Sequence, residues 1–521
     1  MDPGTIQRRR WATLAVLCLS LVVIGMDNTI LNVALPTLVR DLGASASQLQ
    51  WIVDAYVLVF AGLLLSMGSL GDRFGRKRAL NAGLLIFAAG SVASAFAGSA
   101  QVLIATRALM GVGGALIMPS TLSIITNVFQ GPERGRAIGV WAGVAGLGIV
   151  LAPVVGGWLL EHFWWGSVFL VNVPIVGVAL AAGASLVPES RDPHAARLDP
   201  IGALLSIAGL TALVYGIIEA PNHGWTDAVT LWSFAAAAVL LTVFAIWELR
   251  SSHPMLPIHF FRNRRFSSAA VAITLVFFAM FGTIFVLTQH LQFVLGYTPL
   301  QAGIRVLPLA TLILSAPLSA RAVERVGTKA VVTGGLLVVA SGLWLLSTVS
   351  IGDGYPLVAW TTAILGVGMG MTMAPATESV MGSLPLAKTG VGSAMNDTTR
   401  MVGGALGVAV VGSVLSSAYA AGIAPALSAV PDPRVAAAAG DSIGAAVAIA
   451  HRVGPAGQPL VDAARVAFVD GMGSAVLVAA GVAALGALAA LASLPSRPGR
   501  PAPAFAGEPA AAAKEFVGVA R

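Results

Sequence analysis

Apolar residues run along this chain in fourteen stretches, each near the ~20 residues that an α-helix needs to cross a lipid hydrocarbon layer. The first covers residues 11–35 and the last 466–494, with short breaks of Gly, Pro and charged residues between them. Within each stretch the apolar character is nearly continuous. It neither alternates with period two nor leaves a polar face at period 3.6, so it predicts helices that are apolar all round. The expectation is an all-α membrane protein of 14 transmembrane helices. Composition agrees: 57% of residues are hydrophobic and 10% charged, against about 25% charged in a soluble chain. Arg8, Arg9 and Arg10 precede the first stretch, but its apolar run is longer than a signal peptide's and no small-residue cleavage site follows. It reads as a signal anchor and first span.

Charge then orients the spans. The net charge is +7, and twenty-three of the thirty Lys and Arg fall in loops or tails on one side of a fourteen-span layout. Four fall on the other side, and Arg107, Arg305 and Arg400 lie within spans. This is the bias of cytoplasmic loops, so both termini are expected in the cytoplasm, and the basic balance needs no nucleic-acid partner. The one cysteine, Cys18, can form neither an internal disulfide nor a metal cluster and reads as apolar filler.

The chain also repeats. Asp72–Lys77 recurs as Glu324–Lys329, and Leu42, Gly43 and Gln48 recur as Leu295, Gly296 and Gln301. Gly111, Gly113, Pro119 and Thr121 recur as Gly366, Gly368, Pro375 and Thr377. The shift equals eight spans, which predicts a 6+2+6 arrangement with a parallel pseudo-repeat about an axis along the membrane normal. The expected units are a six-helix bundle at 1–190, an inserted two-helix hairpin with its linker at 191–250, a second bundle at 251–495, and a disordered cytoplasmic tail at 496–521. The long far-side loop at 420–465 carries no evident chemistry.

Four acidic residues interrupt the apolar stretches: Asp27, Asp54, Glu378 and Asp397. A carboxylate at mid-bilayer costs roughly 2.5–3.5 kcal/mol on insertion scales, so it calls for a partner, a cavity or a proton. Counting residues places Asp27, Asp54 and Arg107 at one depth in the outer half, a plausible proton site. Asp397 and Arg400 lie three apart on one helix face, as an intrahelical pair would. Glu378 falls near the inner end of its span, where a carboxylate can reach the interface. His290 is expected at the membrane interface. Residues 382–389 nearly copy a phosphate-binding loop, but Ala387 replaces the needed Gly and membrane helices flank it. With no ATP engine, redox cofactor or metal site legible, the energy source expected is a proton gradient, and the protein is not expected to be an enzyme.

Gly68, Asp72, Arg73, Gly75 and Arg76, between the second and third spans, resemble the signature loop of the major facilitator superfamily. Gly148, Ala152, Pro153, Gly156 and Gly157 resemble the antiporter motif of its drug exporters, with Ala152 where Gly is usual. Residues 26–36, 165–174 and 392–400 resemble the fourteen-helix drug:proton antiporter branch. The resemblance covers nearly the whole chain. It implies export of lipophilic, cationic or neutral drugs, dyes or antibiotics by alternating access. It implies a conformational latch at Gly68, Asp72, Arg73, Gly75 and Arg76 and an antiporter seam at Gly148, Pro153, Gly156 and Gly157. Proton or cation coupling falls to Asp27, Asp54, Arg107, Glu378, Asp397 and Arg400, and a substrate cavity to Asn28, Asn32, Tyr56 and Met371. The setting implied is a monomer in a bacterial inner membrane. A nutrient symporter and a sensor without transport are the competing readings; the fifth-span motif and the two extra helices argue against the first, the buried acids against the second.

Overall fold

The computed structural model describes residues 3–129, 132–191, 198–251, 253–256, 258–383, 389–428 and 430–495. The tail expected at 496–521 and residues 384–388 of the phosphate-loop look-alike lie outside these. All regular structure among the described residues is helical. In chain order come α1 (Pro3–Leu42), α2 (Ala46–Phe74), α3 (Arg76–Ala95), α4 (Ala100–Val128) and α5 (Pro132–His162). Then follow α6 (Ser167–Leu170), α7 (Asn172–Leu186), α8 (Pro200–His223), α9 (Ala228–Arg250), α10 (Arg264–Gln289) and α11 (Pro299–Arg305). The last six are α12 (Thr311–Ser347), α13 (Tyr355–Met381), α14 (Thr389–Leu427), α15 (Pro433–Asp441), α16 (Ile443–Val453) and α17 (Gln458–Ser493).

Among the described residues thirteen helical segments are long and apolar enough to cross a membrane, against the fourteen expected. The difference lies in Pro299–Ser347, a 49-residue segment. It contains two helices that meet at Gly327, whose backbone leaves the helical region at φ 85°. Hydropathy sees a loop there, whereas the backbone turns with a single residue.

The sequence repeat is a repeat of helix starts and turns. Gly43 (φ 62°) and Gly296 (φ 70°) both adopt the left-handed conformation that glycine takes without strain. Two residues on, Ser45 and Thr298 each accept a bond from the amide of Gln48 or Gln301, whose side chain bonds back to the cap amide. These are matched capping boxes. At the opposite, basic end, Gly75 (φ 121°) and Gly327 (φ 85°) make the matched reversals.

α1 packs on α5, and α4 on α2 and α3; α12 packs on α13 and α17, and α10 on α14. α8 and α9 pair with one another, and α8 also rests on both α2 and α14. The two groups of helices meet along α2–α14 and α5–α11. Under the repeat these seams are equivalents, and a glycine sits in each. A Cβ on Gly157 would come within 2.5 Å of Leu300 Cα, and one on Gly412 within 2.6 Å of Gln50 Cδ. Both crossings lie toward the end opposite the basic loops, called the far end below. The structure is therefore closed there.

Candidate functional site

The site begins with close helix approach. Gly111 on α4 faces the backbone of α2, where a Cβ would fall 2.6 Å from the Tyr56 carbonyl oxygen. Two residues on, Gly113 faces Gly83 and Phe87 of α3. The Gly-Val-Gly motif thus lets α4 nest between two neighbours. One turn before Gly111, Arg107 is buried to 1% exposure. Its Nη1 donates to Asp27 Oδ2 of α1 at 2.5 Å, and its Nε donates to the Ile52 carbonyl oxygen of α2 at 3.1 Å. The guanidinium lies 4.4 Å from the centroid of the Tyr56 ring. One cation therefore binds three helices through an ion pair, a hydrogen bond and a ring face. Asp27 Oδ1 has no hydrogen-bond partner among the described groups. A buried pair left with an unsatisfied oxygen adds little stability for what its desolvation costs, but losing either partner strands a charge.

Asp54 does not join this pair. It stands two residues from both Ile52 and Tyr56, so it points about 200° away around α2. It shares a helix face with Gln50, one turn nearer the far end, and Gln50 abuts Gly412 and Ser413 of α14. Asp54 is fully buried, and neither carboxylate oxygen has a hydrogen-bond partner among the described residues. The expectation of two acids and one guanidinium in a single cluster is corrected on this point. Depth along a helix can be counted from sequence; rotation about its axis cannot when the helix is apolar all round.

The structure also places the other candidate positions. Tyr56, a candidate for the substrate cavity, is instead wholly buried beneath Arg107 and packs against Phe60 and Phe87. Met371 lies in the seam between α13 and α12, where a Cβ on Gly335 would meet its Cβ at 3.0 Å. Glu378 is exposed, on the face of α13 away from buried Ala376, Ser379 and Val380. His290 is buried rather than interfacial, and neither ring nitrogen has a hydrogen-bond partner among the described residues. Arg305 stands at the end of α11, 3.8 Å from the Tyr297 ring centroid and 5.3 Å from that of Tyr355.

Asn28 and Asn32 are buried one turn apart on α1, each with an amide oxygen that has no hydrogen-bond partner among the described residues. Asp397 and Arg400 pair at 3.5 Å on α14. Arg400 also donates to Thr377 Oγ1 at 3.3 Å and lies over Phe277, which fastens α14 to α13 and α10.

The antiporter-like segment of α5 has two faces. Gly148 and Gly156 turn toward α1, where a Cβ on Gly156 would meet Ile30 at 2.6 Å. Gly157 and the Pro153 carbonyl turn toward Leu300 and Gly303 in and around α11. Pro153 has no amide hydrogen for the carbonyl of Ile149, four residues back. Thr29 of α1 donates its hydroxyl to that oxygen at 2.9 Å.

At the basic end, Arg76 Nε donates to Asp72 Oδ1 at 2.7 Å across the Gly75 reversal. Gly68 packs on Pro119. Arg73 is exposed, its guanidinium over the Phe74 ring. The loop is held by the end of α7 and the segment after it: the Ala184 carbonyl accepts from Lys77 Nζ at 2.8 Å, Glu189 accepts from the Lys77 amide at 3.2 Å, and the Ser190 carbonyl accepts from the Arg76 amide at 2.9 Å. Glu189 was not singled out from sequence, because its partners are more than a hundred residues away.

A family model described as Major Facilitator Superfamily matches residues 17–408. The chain is 39% identical to the multidrug efflux pump LfrA of Mycolicibacterium smegmatis over 475 residues, covering 91% of this chain and 94% of that protein. It is 33% identical to the tetracenomycin C resistance and export protein of Streptomyces glaucescens, over 92% of this chain and 90% of that one. It is 36% identical to the methyl viologen resistance protein SmvA of Salmonella typhimurium, over 88% of this chain and 93% of that one. Among solved structures, a bacterial homolog of the human lysosomal transporter Spinster, inward-facing and unoccupied, superposes with TM-score 0.65 at 19% identity, covering 94% of this chain and 99% of that one. The peptide transporter POT in complex with sulfate superposes with TM-score 0.59 at 15% identity, covering 95% and 99%.

Proposed function

Because the chain belongs to the major facilitator superfamily, we propose that it is a multi-pass membrane antiporter that exports lipophilic drugs, dyes or antibiotics in exchange for protons. Relatives named for multidrug efflux, antibiotic export and methyl viologen resistance support the drug class. The observation that carries the coupling is the contrast between two buried acids. Asp27 is held by Arg107, and Asp54 has no hydrogen-bond partner among the described residues.

In this reading Asp54 carries a proton while the far end is closed, because a bare carboxylate there has neither donor nor counter-ion. Entry of a substrate beside the α2–α14 seam displaces that proton. Protonation of Asp27 loosens α1 from Arg107 of α4 within the first bundle, which lets that bundle reshape as it rocks against the second. Asn28 and Asn32 offer their unpartnered amide oxygens to the substrate. Asp397 and Arg400 keep α14 fastened to its own bundle during the swing, and the Asp72–Arg76 loop latches the basic end. The units are those of the 6+2+6 arrangement, with both termini and the basic loops in the bacterial cytoplasm. The working unit is a monomer that needs no cofactor, and its substrates are cationic or neutral.

The test is drug-driven proton release and ethidium export in everted vesicles, with and without an uncoupler. Export that persists once the proton gradient has collapsed overturns the proposal. Unaltered export by a protein carrying both Asp27→Asn and Asp54→Asn overturns the assignment of these two acids.

A further inference from the structure

The segment between α14 and α17, which sequence left without a role, folds across the far end and touches both bundles. Asp432 and Ser442 cap α15 and α16, accepting bonds from the amides of Arg434 and Ala445. Tyr419 of α14 donates its hydroxyl to the Ala439 carbonyl at 2.9 Å, which ties α15 to its own bundle. Two contacts then cross to the other bundle. Asp441 Oδ2 accepts from the amide of Ala46, the first residue of α2, at 2.9 Å. Gly444 of α16 packs on Val39 of α1, where a Cβ would lie 3.1 Å from Val39 Cβ.

Beneath this cover lies a small cavity of about 20 Å³, room for about one water molecule, lined from both bundles by Gln50, Phe285, Gln289, Ser416 and Phe468 and by Asp441 of the cover. Its base is the α2–α14 seam, where Ser413 Oγ donates to the Ile217 carbonyl at 2.7 Å and approaches Gln50 Oε1 at 3.4 Å. Anything leaving between the bundles at the far end must pass the cover. The Ala46 amide lies in the first turn of α2 and has no acceptor within its own helix. It can exchange Asp441 for water, so the bond is reversible. The contacts to Ala46 and Val39 span the moving boundary, while the Tyr419 bond does not.

We propose that residues 432–457 are a lid on the far-end exit, latched to α2 by the acceptor oxygen of Asp441, which lifts with the second bundle when substrate leaves. This rests on the transport reading above. The latch works through an acceptor atom, so an amide at position 441 keeps it and a methyl group does not.

Two measurements test the lid in a Cys18→Ser background. First, Val39→Cys and Gly444→Cys place two thiols within disulfide reach. Oxidation is expected to cut export at least tenfold and reduction to restore it, with no effect of oxidant on the chain lacking the pair. Fully cross-linked protein that exports at the reduced rate overturns the lid. If the chain without the pair fails to export, the transport reading fails instead, and the second measurement still judges the lid. That measurement is labelling of Ser416→Cys in intact cells by a membrane-impermeant maleimide. Labelling is expected to be several-fold faster with Asp441→Ala and no faster with Asp441→Asn. Equal rates in all three proteins, or faster labelling with the amide, overturn the latch.

Discussion

Thr29 on α1 donates its hydroxyl to the carbonyl oxygen of Ile149 on α5, the oxygen that Pro153 leaves without a helical donor. This joins the first-span motif to the antiporter-like motif. A buried acceptor stripped of its donor costs about 1–3 kcal/mol, so Thr29→Val should lower the melting temperature clearly. Pro153→Ala gives Ile149 an in-helix donor, and in that background Thr29→Val should be nearly neutral. Melting curves of the two single variants and the double variant in detergent decide it. Additive losses would mean that the hydroxyl does not serve the proline's vacant acceptor.

The Asp27–Arg107 pair should behave as a buried charge pair. Removing one partner, as in Asp27→Asn or Arg107→Gln, leaves the other charge stranded, at a cost of about 3–5 kcal/mol. Combining the two changes removes both charges and should recover most of the melting temperature. It should not recover proton-coupled export, because the exchangeable carboxylate is gone. A double variant as unstable as either single one would show that packing, not charge, explains the losses.

Asp54 predicts the opposite balance. With no hydrogen-bond partner among the described residues to lose, Asp54→Asn should melt at about the same temperature as the unaltered chain, because a neutral amide replaces a protonated and equally neutral carboxyl. Drug-driven proton release should nevertheless fall toward the level seen with an uncoupler. A large drop in melting temperature would mean that Asp54 has a structural partner after all.

These contrasts mark what the sequence could and could not carry. Helices of lipid-spanning length announce themselves by hydropathy alone, and the paired Gly43/Ser45/Gln48 and Gly296/Thr298/Gln301 turns are local, so span and repeat were legible. Arg107 and Asp27 could be matched because residue count gives depth. The direction in which Asp54, Tyr56, Met371 and Glu378 point was not legible, since helices without a polar stripe carry no record of which face is inward. Nor could Asp441 be read as a contact: its donor, Ala46, lies 395 residues away in sequence.

Asp441 also sets a pH dependence for the lid, and it lies outside the spans. Burial under the lid raises its carboxyl above the ordinary value of 3.8; the Ala46 amide of α2 pulls it down, and the Glu219 carboxylate of α8 pushes it further up. Tyr419 of α14 is the other titratable group facing it, and feels the charge of Asp441 rather than setting it. With the lid lifted, the carboxyl meets water and returns toward its ordinary value, so the closed lid binds the proton more tightly. Closure is therefore favoured most below the ordinary value, and that advantage is lost as the pH rises through the raised one. Spin labels at Arg40 and Arg452, both exposed, should report a lifted fraction that grows as external pH rises. In Asp441→Asn, where nothing titrates at this position, the fraction should stay flat and low. A slope of opposite sign, or one that survives in the amide variant, would assign the pH response to another group.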